Sequence, residues 1–197
     1  VLPDANGEQL IKARIGRPLD FTAVTDHAEF MGQINICTQD ASKAGYWWPH
    51  CVMTRAQNIW VQLIAANWWT DLGGQLENPP DKSFACSMSD CDAAERETWQ
   101  RTQTAAEDFY DRSGNCSFTT FVGYEWTSMP GDRNLHRNII YRGNRVPELP
   151  FSSVDSDDPR ELWNALDTQR AMGMASFAIP HNGNVSDGRM YDRVMFD

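Results

Sequence analysis

Three of the four histidines in this 197-residue chain fall at the ends of segments that read as β-strands, and two carboxylates fall with them. Asp26 and His27 close the run Asp20-Phe21-Thr22-Ala23-Val24-Thr25, and Glu125 closes a run that ends Gly123-Tyr124-Glu125. His136 stands just before Arg137-Asn138, and His181 follows Pro180. Imidazole nitrogen and carboxylate oxygen together form the mixed donor set that Zn²⁺, Mn²⁺ or Fe²⁺ accept, whereas Mg²⁺ and Ca²⁺ favour oxygen alone. A plainer role competes at the first of these positions: Asp26-His27-Ala28-Glu29 also has the look of a capping box at the start of a helix. His50, in Trp47-Trp48-Pro49-His50, matches no comparable pattern and reads as structural.

For these side chains to meet, the strands that carry them must share one edge of a sheet. Phe21 to Thr25 is apolar or β-branched, with Pro18 marking where the strand can begin. Before it, Asn6-Gly7 suggests a hairpin turn between Val1-Leu2 and Leu10–Ile15. A helix is predicted over 28–36, a loop over 38–50, a long helix over 53–71 stopped by Gly73-Gly74, a loop over 75–88 with Pro79-Pro80, and a helix over 90–112. The Trp-rich stretch 38–88 reads as an insertion or lid. Its pairs Trp47-Trp48 and Trp68-Trp69 are either a stacking platform or packing. Strands follow over 118–126 and 137–141, then a helix from Asp158-Pro159 and a strand over 174–179 ending at Pro180-His181. If the second and third strands pair antiparallel, the end of one and the start of the next lie at the same edge. The order is α/β in class, in a single domain spanning 1–197.

A formal charge of −10 excludes a nucleic-acid surface, which needs clustered Lys and Arg. No run of about 18 apolar residues exists to span a membrane. Five cysteines without zinc-ribbon spacing suit one or two disulfides and a periplasmic or secreted setting. Cys86, Cys91 and Cys116, which flank the predicted helix 90–112, are the expected partners. Arg137 and Arg189 are near enough to the site segments to hold an anionic substrate, although solvation at the surface is the commoner fate of such residues.

Thr25-Asp26-His27, Gly123-x-Glu125, His136 and Pro180-His181 resemble successive motifs of the polymerase-and-histidinol-phosphatase (PHP) superfamily of metal-dependent phosphoesterases. The runs around them resemble more closely a bacterial domain-of-unknown-function family related to PHP proteins. These are Arg17-Pro18-Leu19-Asp20-Phe21 through Glu29, Tyr124-Glu125-Trp126-Thr127, Asn134-Leu135-His136-Arg137-Asn138 and Ile179-Pro180-His181-Asn182. The resemblance implies a partial, distorted (β/α)7 barrel with metal ions at its mouth. It implies His27, Glu125, His136 and His181 as metal ligands, and Asp26 as a ligand or as a carboxylate orienting one of them. Asp26, His27, Glu125 and His181 would be the catalytic set. The superfamily's opening His-x-His and closing Asp-x-His have no counterpart here, so the chain is expected to be the middle of a larger protein, with a metal site that is incomplete or impaired. The implied activity is hydrolysis of a small anionic substrate, a phosphate ester, by metal-activated water. Two alternatives stand beside it: a metal-dependent hydrolase of a non-phosphate bond, and a non-catalytic ligand-binding or scaffold domain with a degenerate site. Exposed strand edges make a homo-oligomer an expectation as well.

Overall fold

The computed structural model describes residues 15–72 and 85–191. The expected Asn6-Gly7 turn, the Gly73-Gly74 stop and the Pro79-Pro80 loop lie outside the described residues, as does the Trp68 side chain. The elements run β1 (Phe21–Val24), α1 (Met31–Thr38), α2 (Pro49–Thr54), α3 (Ile59–Leu72), α4 (Ala85–Met88), α5 (Cys91–Phe109), β2 (Thr119–Ser128), β3 (Leu135–Tyr141), α6 (Pro159–Ala171) and β4 (Ser176–Pro180), with short 3₁₀ turns at 28–30, 44–47 and 189–191.

The four strands form one mixed sheet in the order β1-β2-β3-β4. β1 runs parallel to β2, and β2–β3 and β3–β4 are antiparallel. Among the described residues the sheet is open, with β1 and β4 as its edges. The α/β class therefore holds as a mixed sheet with helices, and no closed barrel is formed by these residues.

Period-two alternation sorts each strand onto two faces. Val122, Tyr124 and Trp126 of β2 and Leu135, Ile139 and Tyr141 of β3 turn to one face. There they pack with Trp99 of α5, Leu162 and Leu166 of α6, and Ala28 and Met31, into the main core. Trp99 is fully buried and its indole N–H donates to the Pro147 carbonyl at 2.9 Å, so the large ring costs no unpaired donor. The opposite face carries Phe121, Gly123, Glu125 and Thr127 of β2 and His136, Asn138 and Ile140 of β3. Gly123 is needed where strands crowd: a Cβ there would stand 2.8 Å from the Ile139 carbonyl oxygen and 3.1 Å from Thr25 Cγ2.

Several boundaries differ from the sequence expectation, each for a local reason. The single helix expected over 53–71 is two, because Asn58 Oδ1 takes the Trp60 N–H at 2.9 Å and starts a new helix, while Arg55 donates to the Cys37 and Tyr46 carbonyls. α2 begins inside the expected loop, with Pro49 at its first turn. α5 and α6 start as expected, with Asp90 accepting from Ala93 N and Asp158 from Arg160 N, each at 2.9 Å. The disulfides are Cys37–Cys51 and Cys86–Cys91, and Cys116 is free and exposed rather than paired. They fasten a second small core of Ile36, Cys37, Cys51, Ala85, Cys91 and Ala94, where α1, α2, α4 and α5 meet. Two disulfides are consistent with an extracellular or otherwise oxidising location. Among the described residues no helix is long and apolar enough to cross a membrane.

Candidate metal centre

Register alone brings the predicted residues together. β1 and the chain just after it keep to β2, with Glu125 N–H donating to the Asp26 carbonyl at 2.8 Å and an isolated parallel bridge between His27 and Glu125. One pleat further, Thr127 of β2 stands opposite His136 of β3. The β3–β4 pairing ends at Arg137 and Pro180, and His181 N–H then donates to the His136 carbonyl at 3.2 Å. His27, Glu125, Thr127, His136 and His181 thus form a row across all four strands, on the face away from the main core. Glu125 and His136 lie inside their strands and not at the ends, because β2 continues to Ser128 and β3 begins at Leu135. The shared edge survives because both strands lengthen together.

Glu125 is the hub. Its Oε1 lies 2.8 Å from His136 Nδ1 and 3.6 Å from His181 Nε2, and its Oε2 lies 3.8 Å from His27 Nε2. Thr127 Oγ1 donates to Glu125 Oε1 at 2.9 Å and touches His136 Nδ1 at the same distance. Burial raises the Glu125 pKa, but the His136 hydrogen bond, the charge of His27, the Thr127 hydroxyl and the charge of His181 outweigh it, leaving the carboxyl below its ordinary value.

Glu29 was not singled out by sequence except as part of a capping box, and it is the residue that positions His27. It is 3 % exposed. Its Oε1 accepts the Thr127 backbone N–H at 2.7 Å and its Oε2 faces His27 Nδ1 at 3.3 Å. His27 Nδ1–H donating to this carboxylate leaves Nε2 with its lone pair toward Glu125. The hydrogen bond to Glu29 is the main reason that the His27 pKa is raised, against burial and with help from Glu29, Glu125 and Asp26 charges.

Asp26 sits differently from its expectation. Its side chain is exposed and makes no hydrogen bond among the described residues, so it neither caps the following turn nor orients an imidazole; Glu29 does the orienting. Arg137 also departs from both of its expected roles. It is fully buried on the opposite face, its guanidinium 5.7 Å from the Trp126 ring and 5.4 Å from the Trp163 ring, and burial lowers its pKa to about 10. It is not available to the row. Among the described residues the Arg189 side chain reaches only the Pro130 carbonyl, at 3.5 Å.

The donor chemistry fits a divalent cation. One ligand atom each from His27, Glu125 and His136 lies within 4.8 Å of the others. His136 Nε2 and His181 Nδ1 are buried without a hydrogen-bond partner, which is costly for a polar atom unless something accepts or uses the lone pair. His181 Nε2 and His27 Nε2 each face a different oxygen of the Glu125 carboxylate, at 3.6 and 3.8 Å. A second group, Cys37, His50 and Cys51, meets the same distance test, but its two sulfurs are joined to each other.

Fold and site together define a mixed α/β protein with an imidazole–carboxylate cluster on the open face of its sheet. Over residues 4–197 the chain matches the family described as Protein of unknown function (DUF3604), and it belongs to that family. No curated protein and no solved structure matches it.

Proposed function

We propose that the protein is a metal-dependent hydrolase whose favoured substrate is a phosphate ester. The reading is carried by one observation: three imidazoles, one within β3 and two just past the ends of β1 and β4, converge around the Glu125 carboxylate of β2. His27, Glu125, His136 and His181 would hold the metal. When bound, a divalent ion supplies Lewis acidity and a water of lowered pKa. The chain's own side chains do the rest. Glu29 fixes the His27 tautomer, Thr127 anchors both Glu125 and His136, and the exposed Asp26 is a carboxylate free to accept a proton beside the site. The PHP resemblance would make this sheet a sector of a distorted barrel, with the open face turned inward, and a single domain with 38–88 as its insertion. It also leaves room for hydrolysis of a non-phosphate bond by the same residues.

Metal analysis after dialysis against Mn²⁺ or Zn²⁺, with hydrolysis of an aryl phosphate, tests the proposal. The wild type should retain more metal than either variant and turn the ester over; Glu125→Ala and His181→Ala should lose both. A wild type that retains no metal and hydrolyses nothing leaves a second reading, a non-catalytic binding domain. One observation favours that second reading: Ile59, Trp60, Leu63 and Ile64 expose an apolar stripe on α3, with Trp60 72 % exposed. The edges of β1 and β4, unpaired among the described residues, keep self-association within either proposal.

A further inference from the structure

A cavity of about 470 Å³ opens beside His27, within the size range of small-molecule sites. It lies between α1, α5, Trp69 of α3 and the exit of β1, and the His27 ring is part of its wall. Rings lead from the cluster into it: His136 to His27 at 6.1 Å between centroids, His27 to Phe30 at 6.3 Å, and Phe30 edge-on to Trp69 at 5.6 Å. Met31 and Ile34 complete an apolar wall.

The uncharged polar side chains that also line the cavity are already engaged within the protein. Asn35 donates to Thr98 Oγ1 at 3.1 Å and accepts from Lys43 Nζ at 3.0 Å. Thr98 donates to the Ala94 carbonyl, and Thr38 donates to the Ile34 carbonyl. Gln39 donates to Thr38 and accepts from Arg101 Nη1 at 3.3 Å. Among these side chains little hydrogen-bonding capacity is left for a ligand rich in hydroxyls, whose own groups would go unpaired against them; the open donors and acceptors are those of Arg101 and Asp26 at the lip. The charged groups on the lip are Asp26 and Arg101, one of each sign, so an ionic body gains little there. Both also border a second cavity of about 600 Å³ that runs on between β1 and α5.

We propose that the cavity at His27 is the subsite for the organic part of the substrate, and that this part is an uncharged aromatic group of one or two rings. The inference rests on the hydrolase reading and narrows it to aryl esters over sugar or polyol esters. An aryl group placed there stacks against Phe30 and Trp69 while the ester group reaches the His27 side of the cluster.

The test pairs binding of 1-naphthol, the body without its ester, with turnover of 1-naphthyl phosphate against glycerol 3-phosphate. In calorimetry the wild type should bind 1-naphthol; Phe30→Ala, and the milder surface change Ile34→Gln, should each weaken it about five- to ten-fold, while His181→Ala leaves it unchanged. In the metal-loaded protein, the ratio of kcat/KM for the naphthyl over the glycerol ester should fall about ten-fold in Phe30→Ala through KM. No 1-naphthol binding by the wild type, or a ratio unmoved by a folded Ile34→Gln or Phe30→Ala, overturns the subsite. Binding of 1-naphthol with the expected variant pattern, but no hydrolysis of either ester, supports the aromatic subsite and removes only the hydrolase reading.

Discussion

Two trios of metal-type side chains, His27-Glu125-His136 and Cys37-His50-Cys51, each bring their ligand atoms within 4.8 Å of one another, yet their surroundings give them opposite chemistry. The first lies on an open sheet face, with a carboxylate at its centre and a buried imidazole nitrogen left unpartnered. The second is sealed between helices, with Cys37 and Cys51 wholly buried and their sulfurs spent on a covalent bond. His50 Nε2 lies 3.8 Å from each sulfur, in packing contact, with Trp69 edge-on at 5.0 Å. Proximity of ligand types is therefore not enough to define a metal site. Lone pairs must be free and a path to solvent must exist, and only the first trio has both.

The largest expected effect falls on the second trio. Replacing Cys37 and Cys51 together by Ser should cost about 3 kcal/mol in urea unfolding, since the bridge closes a loop of sequence separation 14. Metal retention should be untouched. A double variant that loses metal while still folded would mean that the two regions are not independent.

Glu29→Gln should come next. It keeps the shape but removes the negative charge that holds His27 Nδ1–H, and metal affinity should fall roughly 10- to 100-fold by competition titration. If Glu29→Gln binds metal like the wild type, the orienting role assigned to Glu29 is wrong.

pH should split the two histidines by sign. In the metal-free protein, held so with a chelator, His27 has a raised pKa because of Glu29, Glu125 and Asp26, so its contribution to stability is present below the ordinary 6.5 and is lost as pH rises through the folded value. His50 has a lowered pKa through burial, so the neutral ring is favoured in the fold and stability is lost as pH falls below 6.5. Unfolding midpoints of His27→Gln and His50→Gln against pH check both slopes; the first should flatten the alkaline side, the second the acid side. Matching profiles for the two variants would erase the contrast.

Asp90→Ala is the smallest change. It removes the cap of α5, which carries Cys91 beside the second trio and lines the cavity at His27 with Thr98 and Arg101, and should cost about 1 kcal/mol without favouring either region. A selective loss of metal would show that α5 holds the two regions unequally.

Much of this was legible along the chain. Strand composition and the Asp158-Pro159 cap marked elements that do form, because those signals are local and involve neighbours within a few residues. His27, Glu125, His136 and His181 were legible as a set because period-two alternation and an antiparallel turn fix which residues share an edge. What the sequence could not reveal was which carboxylate serves His27. Asp26 and Glu29 are both within two residues of it, and the choice depends on Thr127, 98 positions from Glu29, offering its backbone N–H. Nor could it show that Arg137, next to a site histidine, points into the core between Trp126 and Trp163, or that Cys37 pairs with Cys51. Residue types and their spacing determined the donor set and the strands that carry it; burial, tautomer and the face each side chain meets were decided by long-range contacts that exist only once the sheet and helices have packed.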